Sequence, residues 1–429
     1  MGKFDGKKLL VLGTSVGSVE IVDYAKREGA YVIVADYLPK EKSEAKKHAD
    51  EDVMISTTDI DALCEFGEER AIDGVFCGVS EVNLLSVNAV AKKLGLPCYF
   101  SREQWNMSGN KSNFKQLCKK HGIPVAKDYL FDGIPSKQEA LAIQYPVIVK
   151  PIDRSAGIGI HVCYNADDFL TGYRDAYEKS FSNQVIVEKY IVGIEFNVAY
   201  TVIDGEIRLS SMGDKYLNRE QIGLMPMAQT HIFPSQYLEK YVNEVNDSVI
   251  NMFKEIGIKN GTFFVQGLTD GKEMVLIEAG LRMEGTAMFK FVSQTNGINI
   301  MELMTEYALT RTMTADINLE DPFMNGKVCC LFSLLNGGGI VKTVEGLDKF
   351  VNRAEVIEIM ERHKVGATII KDGTLKQVHI RFYLIGDSRE KMKELIDEIQ
   401  NKVFIRDCND ENMLLSPFDT KRIINKGSF

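Results

Sequence analysis

The stretch YPVIVKPIDRSAGIGIHV, Tyr145 to Val162, decides how the chain reads. An apolar strand runs into Lys150, breaks at PIDRSAGIG and resumes at IHV. A lysine at the end of a buried strand needs a partner for its charge. Gly157 and Gly159 let the backbone approach a neighbour closely. The pattern predicts two strands and a flexible turn folded over an anion, and a phosphate chain is the anion that suits it.

The rest of the sequence bounds what such a site could serve. With 429 residues, the chain is long enough for two or three domains. Apolar residues make up 45% and charged residues 26%, as in soluble globular enzymes. A formal charge of −9 argues against a broad basic surface for nucleic acid. The eight cysteines form no CxxC pair and several lie in apolar runs such as GVFCGV and VCCLF. They read as reduced, buried thiols of a cytoplasmic protein. The six histidines are scattered, which argues against zinc. No secretory pattern opens the chain and no apolar run is long enough to span a membrane, so no membrane partner is expected.

Strand and helix alternate at the start: KLLVLG, then TSVGSVEIVDYAKREGA, then YVIVADY, then a strand within AIDGVFCGV. This rhythm predicts a Rossmann-like α/β domain over residues 1–105. Its first turn carries only Gly13 and Gly17, short of a dinucleotide fingerprint, although Asp36 stands where a ribose acid would. A scaffold shaping a site at its strand ends is therefore favoured over a dinucleotide site. Residues 106–322 read as an α+β domain with a small lid at about 125–192. DG pairs at 204–205 and 270–271 mark hairpins. Residues 323–429 read as a C-terminal α+β subdomain, ending in a strand, a helix capped after Gly-Asp-Ser, and a strand.

Taken in order, NKSNFK, VIVKPIDRSAGIGI, VIVEKYIVGIEF, GDK and LIEAGLR resemble the ATP-grasp superfamily. More narrowly they resemble its carboxylate–amine ligases and biotin-carboxylase-like enzymes. The resemblance implies ATP and Mg2+ as cofactors, with Mn2+ as an alternative ion. It places Lys111 and Lys150 on phosphates, and Ser155 and Gly157 in a loop donating to them. The backbone of Lys189, Tyr190 and Ile191 would read the adenine edge, Glu188 would accept from its amine, and Glu195 would hold the ribose. Lys215 would approach the γ-phosphate, and Arg282 would meet the acyl phosphate or the substrate carboxylate. Glu278 and Gln266 would hold the metal. Relatives carry an acid more often than a glutamine at the Gln266 position, and an asparagine where this chain has Gly280. Glu284 is a candidate replacement, and Ser80 and Glu81 fall where an acceptor site would open.

The activity implied is an ATP-dependent ligase. It would activate a small carboxylate, with an amino acid favoured, as an acyl phosphate for attack by an amine. The alternatives are a non-catalytic ATP-binding protein and a purine-pathway-like ligase using formate or bicarbonate. Homodimers are common in the family, though no segment here marks an interface.

Overall fold

The computed structural model describes residues 2–154, 158–221 and 226–424. Ser155 and Gly157 lie outside these residues.

The opening runs LLVL and VIVA are fully buried, which suits strands covered on both faces. They form a four-stranded parallel sheet in the order Glu51–Val53, Tyr31–Ala35, Lys8–Leu12, Gly74–Phe76. Asp36 is spent on the scaffold. Its two oxygens accept from the Thr14 amide and the Leu38 amide, both at 2.9 Å. Both carboxylate oxygens are thus engaged within the scaffold.

A second sheet forms the lid, in the order Asp128–Tyr129, Val185–Lys189, Val147–Pro151, His161–Cys163. Side chains alternate between its faces. Val147, Val149, Val187 and Cys163 pack on Phe169, Tyr173 and Ala176 of the helix Ala166–Lys179. The cross-strand partners Ile148 with Glu188, and Lys150 with Ile186, occupy the opposite face.

An antiparallel sheet of eight strands forms the body. Its order is Met274–Gly280, Gly261–Thr269, Ile194–Ile203, Glu206–Asn218, Met227–Phe233, Val328–Leu335, Val378–Gly386, Val356–Glu361. The last three strands come from beyond residue 322, so the C-terminal segment continues the central sheet edge to edge. Asp204 and Gly205 both take positive φ, as a two-residue hairpin joining Ile203 to Glu206 requires. The lower face of the sheet buries Phe196, Val198, Tyr200, Phe263 and Val265 against the helix Asp247–Ile256. All eight cysteines are free, and Cys408 is the exposed one. Among the described residues, no helix is long and apolar enough to cross a membrane.

Candidate active site

Lid and body enclose a cavity of about 310 Å3, lined by Lys111, Lys115, Lys150, Ile186, Glu188 and Ile277 among others. Three elements aim charge into it. The helix Lys111–Lys120 starts at Asn110, whose side chain accepts from the amides of Ser112 and Asn113. That cap fixes where the helix begins and hence where Lys111 stands. The strand Val147–Pro151 brings Lys150, whose Nζ donates to Glu188 Oε2 at 2.6 Å. Lys115 Nζ donates to the other Glu188 oxygen at 2.7 Å and ion-pairs with Asp128. Burial alone would raise the Glu188 carboxyl, but Lys150 and Lys115 outweigh it and hold the group below its ordinary value.

At the hinge, the Lys189 amide donates to Lys127 O and the Tyr190 amide to Pro146 O. The next amide, Ile191, has no backbone partner among the described residues. An unpartnered amide next to two fixed ones suits a flat heteroaromatic edge such as adenine.

On the body, the register sets Asn197, Gln266 and Glu278 in one row across three strands, on one face. Glu278 is half-buried and ion-paired to no described residue. A carboxylate so placed beside an amide oxygen suits a hard divalent cation completed by phosphate oxygens and water. Among the described residues there is no cluster of three or more His, Cys, Asp or Glu side chains to hold a metal by themselves. Glu195 and Lys215 are cross-strand partners and ion-paired, so the residues assigned to ribose and to γ-phosphate stand side by side. Glu284 is turned back on its own loop, accepting from the Thr286 amide at 2.8 Å.

Gly280 has a physical reason. Its strand partner is Phe264, and a Cβ at 280 would fall 2.5 Å from the Phe264 ring. The ring occupies the space of the missing asparagine, and the Arg282 guanidinium lies over it at 4.8 Å. Arg282 Nε also donates to Glu81 Oε2 at 2.5 Å, and the Trp105 indole donates to Glu81 Oε1 at 2.5 Å. Ser80 caps the helix Glu81–Leu94, and Glu81 thereby ties the first domain to the arginine.

Sequence reasoning missed Lys115, Phe264 and the sheet residues His231 and Arg381. Lys115 was findable: it lies one turn after Lys111 and so on the same helix face. His231 is the cross-strand partner of Lys215. Burial first, then Lys215 and Arg381, hold it well below its ordinary value, so it is neutral. Arg381 is buried, with its Nε lacking a partner among the described residues. Neither residue sits in a motif, and Arg381 depends on a strand that joins the body late in the chain.

A small lid sheet and a large antiparallel body sheet thus meet at a cleft lined by lysines. Residues 143–289 match the ATP-grasp domain model. The formate-dependent phosphoribosylglycinamide formyltransferase of Prochlorococcus marinus is 28% identical over 70% of this chain and 76% of its own length. The carbamoyl phosphate synthase large chain of Pyrococcus furiosus is 27% identical over 68% of this chain, which spans 27% of that longer protein. Among solved structures, the L-amino acid ligase of Bacillus licheniformis superposes with a TM-score of 0.77 at 18% identity, covering 94% of this chain and 99% of that one. The biotin carboxylase domain of the Hydrogenobacter thermophilus 2-oxoglutarate carboxylase gives 0.76 at 17% identity, over 99% and 96%. Residues 143–289 thus match an ATP-grasp domain, and over most of its length the chain shares the fold of these solved structures.

Proposed function

We propose that the protein activates a small carboxylate, an amino acid in the favoured case, as an acyl phosphate and joins it to an amine, releasing ADP and phosphate. The observation that carries this reading is that Lys111, Lys150 and Glu188 line one cavity whose wall includes Leu276 and Ile277, on the strand that continues into Glu278, the cross-strand partner of Gln266.

A carboxylate is a poor electrophile, and phosphorylation gives it a leaving group. Phosphoryl transfer asks little covalent help of a protein; positioning and charge neutralisation supply most of the rate. Lys111 and Lys150 are placed to neutralise phosphate oxygens, and the Ile191 amide to orient the base. Bound Mg2+ would lower the charge on the transferring phosphoryl group, held by Glu278 and Gln266. Arg282 presents a planar fork suited to the carboxylate or to the acyl phosphate. Its contacts with Glu81 and Phe264 set its orientation beforehand. Glu195 is suited to ribose hydroxyls, as each carboxylate oxygen accepts more than one bond.

A second reading, formate or bicarbonate as the carboxylate, is favoured by the formate-dependent and carbamoyl-phosphate relatives. ADP release by the purified protein with Mg-ATP separates the readings, assayed with pooled amino acids, then with formate or bicarbonate plus amines. ADP and phosphate appearing only with the amino acid pool support the first; turnover only with the one-carbon acids supports the second. AMP and pyrophosphate would contradict both.

A further inference from the structure

We infer that Lys115 is a positioning residue for nucleotide binding: it keeps Glu188 paired so that Lys150 can exchange its carboxylate for a phosphate oxygen. The inference rests on the ATP reading above and goes beyond it to a residue that reading does not use.

The ion pairs around Glu188 are unequal. Lys150 has one carboxylate partner among the described residues, Glu188. Lys115 has two, Glu188 and Asp128, and Lys119 Nζ adds a second cation to Asp128 at 3.2 Å. Lys115 is thus held from both sides by acids and is the member least free to leave. Its side chain is 16% exposed and that of Glu188 15%, so water offers Glu188 little compensation. A buried charge that loses its only partner is strongly destabilised. With Lys115 in place, a phosphate that draws Lys150 away leaves Glu188 still paired. Without Lys115, the same movement strips Glu188 of its last cation.

The bland alternative is that Lys115 simply fastens the helix Lys111–Lys120 to the lid. That role would weaken every ligand of the cavity alike. The positioning role weakens only ligands that carry phosphate, and removing the Glu188 charge should cure it. Glu188→Gln keeps an acceptor oxygen but leaves no charge to strand.

Calorimetric titration of the full-length protein with Mg-ATP and with adenosine, for wild type, Lys115→Met and Lys115→Met/Glu188→Gln, distinguishes the two. Lys115→Met should weaken ATP by roughly tenfold or more, a factor of ten being about 1.4 kcal/mol. Adenosine affinity should change much less, and the double variant should regain most of the ATP loss. Equal loss for both ligands, or no recovery in the double variant, overturns the inference. Amine acetylation of the wild type, read by mass spectrometry, needs no variant. Mg-ATP should alter the labelling of Lys150 and leave Lys115 equally protected, whereas Lys115 becoming reactive would overturn the inference. Wild type that binds no ATP overturns the nucleotide reading and this inference with it. Wild type that binds ATP, with Lys115→Met unchanged, overturns the inference alone.

Discussion

Glu188 and His231 make the pH response readable at single residues. Glu188 is held below its ordinary value, so it stabilises the fold above the unfolded carboxyl value of about 4.5. That contribution is lost as pH falls through the lower folded value. His231 is a base held neutral by burial and by two cations. Below its ordinary value of 6.5 the unfolded chain takes up a proton that the fold refuses. Stability should therefore drop with falling pH from there, by up to about 1.4 kcal/mol per pH unit for this one group. Urea unfolding between pH 7 and 5 checks this, and His231→Gln should flatten the slope in that range. If Glu278 holds the metal as proposed, its substitution by Gln should lower kcat by at least ~100-fold, because it removes the carboxylate charge of that proposed site. Steady-state rates across a Mg2+ titration would show whether added metal restores the activity.

Strand partners explain most of the distance between sequence and structure. The motif residues Lys150, Glu188 and Glu278 were legible because each ends or punctuates an apolar run. The absence of the asparagine at Gly280 was legible too, but its cause was not, since Phe264 lies sixteen residues earlier and meets it only through the strand register. Gly280→Asn alone should destabilise the protein by about 1–3 kcal/mol through overpacking against that ring. Combined with Phe264→Ala, which gives the asparagine room, it should bind Mg2+ more tightly, measurable as a larger rise in unfolding temperature on adding the ion. The lid is a small unit whose core centres on Phe169, which touches Phe131, Tyr145 and Tyr173. Phe169→Ala should cost about 3–5 kcal/mol of local stability, seen as faster amide exchange in the lid than in the body.

Across the whole molecule, the first domain, the lid and the hairpins follow from local periodicity and turn residues. What periodicity could not supply was the joining of the C-terminal strands to the body, because edge-to-edge pairing of Val328–Leu335 with Met227–Phe233 is set by long-range packing. That joining carries Arg381 onto the face that holds His231 and Lys215. Lys290, from the body, pairs with Glu20 of the first domain and Glu358 of the C-terminal strands, so one side chain ties three parts of the chain together. The central claim is that a substrate carboxylate is phosphorylated before the amine attacks. Turnover with a carboxylate labelled by 18O on both oxygens, followed by mass analysis of the phosphate, tests it directly. Acyl phosphate chemistry predicts one 18O atom in each inorganic phosphate released. Unlabelled phosphate, or label recovered in AMP, would contradict it.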